Sequence, residues 1–140
     1  MRTDYNWTTK TFTTPYVFCG DPNNKGWADG VGKRARMDAP FQGVFVKNPD
    51  YAGKTDEYDF YFCDRGNHCV RMVTPEGIVS TFAGRGSVSA DNAVDGYVDG
   101  DLREEARFSN PEGIAYDEVN DIFYIGDTGN HRVRQIAWED

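Results

Sequence analysis

Three features of this chain predict an all-β fold assembled from repeated antiparallel blades of four strands. Val, Ile, Tyr, Phe and Thr gather in short runs with no sustained helical period. Gly is frequent, with 15 among 140 residues, and it falls between those runs, where turns are needed. A series of short motifs also occurs twice in one order, which is the mark of a repeat architecture.

The repeat is read from six anchors. "FCG" at 18–20 returns as "FAG" at 82–84, and "DG" at 29–30 as "DG" at 99–100. "ARMDAPFQGVFV" at 35–46 returns as "ARFSNPEGIAY" at 106–116, aligned on its glycines with one residue of slippage. "FYFCDRGNHCVRMV" at 60–73 returns as "FYIGDTGNHRVRQI" at 123–136, so Phe-Tyr, Asp-x-Gly-Asn-His and x-Val-Arg all recur.

Each copy then reads as a meander. Strand A is expected at 43–47 and 113–117, strand B at 59–63 and 121–126, and strand C at 69–73 and 132–136. "TPEG" at 74–77 is a Pro-Gly turn leading to strand D at 78–83. Residues 16–19 are expected to be an earlier strand D. The chain divides into a lead-in at 1–15 with a possible strand, a first unit at 16–83, and a second unit at 84–138 without its own strand D. Four antiparallel strands per unit suggest a propeller blade.

These residues resemble the NHL-repeat β-propellers. The likeness rests on "GVFV…DFYFCDRGNHCVRMVTPEGIVSTFAG" and "PEGIAYDEVNDIFYIGDTGNHRVRQI". It spans roughly residues 16–138, and the long "DG…ARM" and "DG…ARF" loops look like those of bacterial, often exported, members. The resemblance implies fold more than function, because one fold hosts many functions. About two blades are present where closed rings typically hold about four to eight. Two arrangements remain open: a piece of a longer propeller, or a homotrimer whose strand D at 16–19 completes a neighbour's last blade to close a six-bladed ring.

Composition narrows the partners. The formal net charge is −8, which disfavours nucleic acid and anionic membrane surfaces and with them an RNA-binding role. No apolar run is long enough for a transmembrane span, and the first ten residues lack the apolar core of a signal peptide. The expected setting is extracellular or periplasmic. Asn6-Trp7-Thr8 fits the glycosylation sequon.

In an up-and-down meander the D–A loops and B–C turns share one face. That face carries the binding candidates Trp27, Arg36, Tyr97 and Arg107, with Arg34, His68, Arg85, Arg103 and His131 nearby. Aromatics with Arg suit a protein, peptide or glycan ligand. The repetition of Arg36 as Arg107 also fits a role in tying each loop to its blade. In the turn, Asp64 and Asp127 are expected to accept N–H bonds two residues on. Gly66, Gly129, Asn67 and Asn130 are expected to supply positive φ, and His68 and His131 to bond a neighbouring blade's carbonyl.

Catalytic readings find little support. Nucleophile-elbow, zincin and phosphate-loop motifs are absent. The turn's Asp and His occur in both copies, whereas catalysis usually needs one specialised copy. No cofactor or metal is expected. "DNAVDGYVDGD" at 91–101 departs from EF-hand spacing and reads as a solvated loop, with calcium on Asp95, Asp99 and Asp101 as the lesser reading. Cys63 and Cys69 flank one turn, where a disulfide is possible, and Cys19 would be left over. The function expected is non-enzymatic binding or scaffolding. The alternative is a metal-dependent lyase or lactonase whose site forms only in a complete ring.

Overall fold

Alternation along the central strand sets the layering. Phe60, Phe62 and Asp64 point to one side of the sheet, and Tyr61 and Cys63 to the other. The computed structural model describes residues 1–86 and 95–138. Its strands are β1 (Tyr5–Asn6), β2 (Thr11–Phe12), β3 (Gly30–Val31), β4 (Pro40–Lys47), β5 (Tyr58–Asp64), β6 (Cys69–Val73), β7 (Ile78–Ala83), β8 (Pro111–Asp117), β9 (Ile122–Asp127) and β10 (Arg132–Ile136). No α-helix occurs among the described residues, and all the pairings are antiparallel.

The first blade is complete. Its strands lie in the order β7-β6-β5-β4, and β3, from the loop before it, adds to the outer edge. The second blade holds β10-β9-β8 and lacks a fourth strand among the described residues. Both C strands and the strand D at 78–83 match the expected limits, both A strands and the first B strand run slightly longer, and the second B strand is shifted by one residue. The fold is all-β, made of antiparallel propeller blades.

Loop and blade alternate through the stack. Ala35 and Met37 pack on Phe60, Phe62, Val73 and Val79 of the first blade. The equivalent Ala106 and Phe108 fill the gap between blades, against Cys63, Val70 and Ala83 on one side and Ile114, Phe123 and Ile125 on the other. Tyr61, Phe82, Tyr116 and Phe123 knit this core at ring separations of 4.7–5.2 Å, a favourable spacing for aromatic pairs. The first blade's far side is open, with a cleft of about 400 Å³ lined in part by Phe41, Phe45, Phe60 and Phe62.

Three expectations need correction. Residues 16–19 do not form a strand D. Tyr16 instead exchanges both backbone hydrogen bonds with Arg2, so the chain's own start occupies it. The end of that segment still behaves as the end of β7 does. Gly20 and Gly84 share φ values of 88° and 90°, and each donates its N–H to a carbonyl well inside the following loop, at Gly32 and Leu102.

The alignment of Gly43 with Gly113 is the second. Pro40 and Pro111 pair opposite Asp64 and Asp127, and each copy has a bulge just after. Counting from the prolines, Gly43 stands where Ile114 does. Gly43 is small because a Cβ there would come within 2.3 Å of the Phe60 ring.

The third is the possible disulfide. Cys63 pairs with Val70, and Cys69 with Asp64. The two thiols therefore leave opposite faces of the sheet and cannot meet. All three cysteines are free. Burial pushes the Cys63 thiol up to about 12 and raises those of Cys69 and Cys19.

Two predictions follow from these burials. At mild alkaline pH a disulfide-exchange reagent should titrate no more than Cys19 quickly in the native protein, and all three thiols in denaturant; rapid native labelling of Cys63 or Cys69 would contradict the packing. Asp59 is 4% exposed, and its Oδ1 lacks a hydrogen-bond partner. Burial raises its carboxyl above the ordinary value, helped by Glu76, Asp50 and Asp56. A raised folded value means stability falls as pH rises through the carboxylate range and stays lower above it. Asp59→Asn should therefore stabilise the protein at pH 7 by about 1 kcal/mol, and the gain should vanish on acidification below the ordinary carboxylate range, as read by urea unfolding across pH.

Candidate functional site

The two Asp-x-Gly-Asn-His turns are joined to their loops by a buried ionic network. Strand alternation places Asp64 and Arg71 on the same face, and both are fully buried. Arg71 donates to Asp64 Oδ2 at 2.8 Å, Asp29 Oδ1 at 3.0 Å, and the carbonyls of Ala28 and Arg36. Asp64 also accepts from Asn67 Nδ2 at 2.8 Å and the Asp38 N–H at 2.9 Å. Asn67 Nδ2 reaches the Gly26 carbonyl as well. Burial pushes the Asp64 carboxyl up, opposed by its bonds from Asn67, Arg71 and Asp38.

The second copy repeats the set. Arg134 donates to Asp127 Oδ2, Asp99 Oδ1 and the carbonyls of Val98 and Arg107. Asn130 bridges Asp127 and the Gly96 carbonyl, and the Ser109 N–H bonds Asp127. Arg71, Arg134 and Asp29 were not among the expected site residues, and Asp99 was weighed only for calcium. Their signal lay in plain view as the Arg of the repeated x-Val-Arg and the Asp of the repeated Asp-Gly.

The turn itself differs from the expected Asx-turn. Asp64 and Asp127 make no cap bond two residues on, and each turn is a single 3₁₀ turn. Positive φ falls on His68 (53°) and His131 (54°), not on the glycines or asparagines. Gly66 and Gly129 are needed for contact instead: a Cβ would come within 2.5 Å of the Asp38 side chain or 2.4 Å of Ser109 Oγ. His68 does reach the next blade, but as an acceptor: its Nδ1 takes the Asn110 N–H at 2.9 Å, where a carbonyl partner was expected. Arg65 reaches Glu112 at 2.6 Å across the same seam.

The four binding candidates are not equally available. Arg36 bonds the carbonyls of Lys33 and Ala35 and pairs with Asp21 at 3.2 Å. Arg107 bonds the carbonyls of Glu105 and Ala106. The Trp27 N–H bonds Thr81 Oγ1 at 3.0 Å, and Thr81 in turn donates to Asp29. Tyr97 remains 46% exposed, with the Arg132 guanidinium 4.0 Å above its ring.

Residues 91–94 of the acidic stretch lie outside the described residues. Of the carboxylates weighed for calcium, Asp99 is paired with Arg134, and Asp101 accepts the N–H groups of Arg103 and Glu104. Among the described residues, no cluster of three or more His, Cys, Asp or Glu side chains is placed to hold a metal.

The NHL repeat family model matches residues 108–136, which run from the buried Phe108 through the Asp127–Arg134 pair. This chain carries an NHL repeat. It is 61% identical to a solved Bacteroides thetaiotaomicron protein described as an auxiliary nutrient binding protein, with a TM-score of 0.88 over 99% of this chain and 32% of that one. A second protein of that organism, described as a candidate phosphatase, is 56% identical with a TM-score of 0.87, over 100% of this chain and 30% of that one. NHL repeat-containing protein 2 of Bos taurus is 28% identical over 123 residues, 85% of this chain and 15% of the relative. The NHL chain described here thus spans about a third of the solved relatives and far less of the curated one.

The network gives a prediction with an internal control. Arg71→Met strands buried Asp64 and should cost about 3–5 kcal/mol in urea unfolding. Arg134→Met strands the equally buried Asp127 but should cost somewhat less, because Arg134 is itself slightly exposed and its second partner, Asp99, is 73% exposed. Equal losses would show that the two copies do not differ in this way.

Proposed function

We propose that this NHL segment is a non-enzymatic binding element that presents the D–A loops and B–C turns to a protein, peptide or glycan ligand outside the cytoplasm. The observation that carries the reading is the pinning of each long loop to a rigid turn by a buried Asp–Arg pair. Held this way, the loop face is pre-organised, and binding need not first order it. Tyr97, Arg132 and the exposed Arg85 are the ligand-facing groups in this reading. Arg36, Arg107 and Trp27 serve the loops' own structure, and the turn residues His68 and His131 belong to the scaffold. The description of one solved relative as an auxiliary nutrient binding protein supports the reading, as does the Bacteroides origin of the similar solved chains, which fits an extracellular or periplasmic setting. No helix among the described residues is long and apolar enough to cross a membrane.

A ring of three identical copies gains no support from the strands, since Tyr16 is already paired within its own chain. The enzymatic alternative draws on the relative described as a candidate phosphatase. Both readings can be separated on one sample. The binding reading expects saturable binding to members of a glycan and peptide panel, weakened about tenfold or more by Tyr97→Ala. It also expects no release of phosphate from an aryl phosphate with or without added divalent metal. Metal-dependent turnover would favour the enzyme, and unchanged binding by Tyr97→Ala would remove that residue from the face.

A further inference from the structure

We propose that Asp59 is the centre of a second ligand site, on the face opposite the long loops, and that the site takes a primary ammonium group. Its groups all belong to the first blade, whose four strands are present. Asp59 lies on β5 opposite Val46, on the side of the sheet that faces the second blade. It is 4% exposed. Asn48 Nδ2 holds its Oδ2 at 2.8 Å, and its Oδ1 has no hydrogen-bond partner. A buried acceptor left unpaired destabilises a fold. The repeat does not call for one here, since Ile122 stands at the same place in the second blade, ahead of the same Phe-Tyr.

Two connections meet at Asp59. The A–B connection at 48–57 is the longer of the two copies, the second blade turning back within 118–121. It brings Asn48, Asp50 and Asp56. The C–D turn brings Glu76, whose Oε2 accepts the Tyr51 hydroxyl at 2.6 Å and the Thr74 hydroxyl at 3.3 Å. The charges of Glu76, Asp50 and Asp56 all act on Asp59. Among the described residues, no Lys or Arg pairs with any of these four acids, and Lys47 is taken by Glu57 at 3.1 Å. Carboxylates alone would be a solvated surface. The enclosed, unpaired oxygen at their centre makes a site of them.

The arrangement suits a compact cation with N–H donors. The described residues bring no three carboxylate, thiol or imidazole groups together around a metal. A primary ammonium carries one charge and three donors on a small head. One N–H serves Asp59 Oδ1, and the charge is opposed by Glu76, Asp50 and Asp56. Entry is under the 48–57 loop, which is held to the C–D turn by the Tyr51–Glu76 bond and whose tip at Gly53 stands in open space.

The test follows urea unfolding of the whole chain at pH 7 in methylammonium chloride. The control is tetramethylammonium chloride at equal ionic strength, which has the charge without the N–H groups. Methylammonium should raise the folding constant saturably, about tenfold at ten times its Kd, and tetramethylammonium should leave it unchanged. Asp59→Asn removes the charge at a position where the fold gains from its loss, and it should unfold at one urea concentration in both salts. Nα-acetyl-lysine amide, set beside its Nε-acetylated form, identifies the source of the ammonium. A shift from the first and not the second assigns a lysine side chain of a partner, and a shift from methylammonium alone assigns a free amine. No shift in any amine, equal shifts from the two salts, or the same shift in Asp59→Asn would each overturn the proposal. It does not rest on the loop-face ligand: the two sites lie at opposite ends of the strands, and a protein that binds glycan or peptide yet ignores methylammonium separates them.

Discussion

A carboxylate and a guanidinium buried together hold each repeat in shape. Asp64 and Arg71 are both fully removed from water, which is costly for two charges and seldom stabilises a fold outright. Their value here is in what they orient. Arg71 spends four hydrogen bonds on two segments of the preceding loop and on the turn. Asp64 spends its lone pairs on the loop's last residue and on Asn67. A loop of about twenty residues thereby takes one position on the blade, and the apolar pair Ala35 and Met37 follows it into the core.

This pairing decides which surface groups remain for a ligand. The loop arginines look free in a sequence, yet Arg36 and Arg107 close back on carbonyls of their own loops. Trp27 is tethered through Thr81 to the same acid that Arg71 uses. Tyr97 differs because no Thr81 equivalent stands beside it among the described residues, so its ring packs against the Arg132 and Arg134 guanidiniums and stays 46% exposed.

The architecture was largely legible in the sequence. Period-two runs and turn residues located β6, β7 and β10 to the residue, because each is bounded by a turn motif with little slack. The even–odd count also places loops and turns on one face. What escaped was finer. Which residue of Asp-x-Gly-Asn-His takes positive φ depends on neighbours: Gly66 lies too close to Asp38 for a side chain, and the left-handed step falls two places later, on His68. The Cys63–Cys69 pair misled because nearness along a hairpin says nothing of facing, and the register sets them on opposite sides. The glycine alignment failed because Gly43 answers to the Phe60 ring, a contact specific to one blade.

The glycine ahead of each long loop fixes only one of its two attachments. Gly84 donates to Leu102 and its carbonyl receives Arg103, and Gly20 donates likewise to Gly32. Each loop is thus tied backwards to the glycine that precedes it and forwards, through Asp29–Arg71 or Asp99–Arg134, to the blade that follows it. The loop from 20 to 42 therefore takes its place only once Phe62, Arg71, Val73 and Thr81 have been made, after a ribosome has delivered the loop itself. Emerging polypeptide must hold Ala35 and Met37 uncovered until the strands that bury them arrive, and the first blade must likewise wait for Ala106 and Phe108.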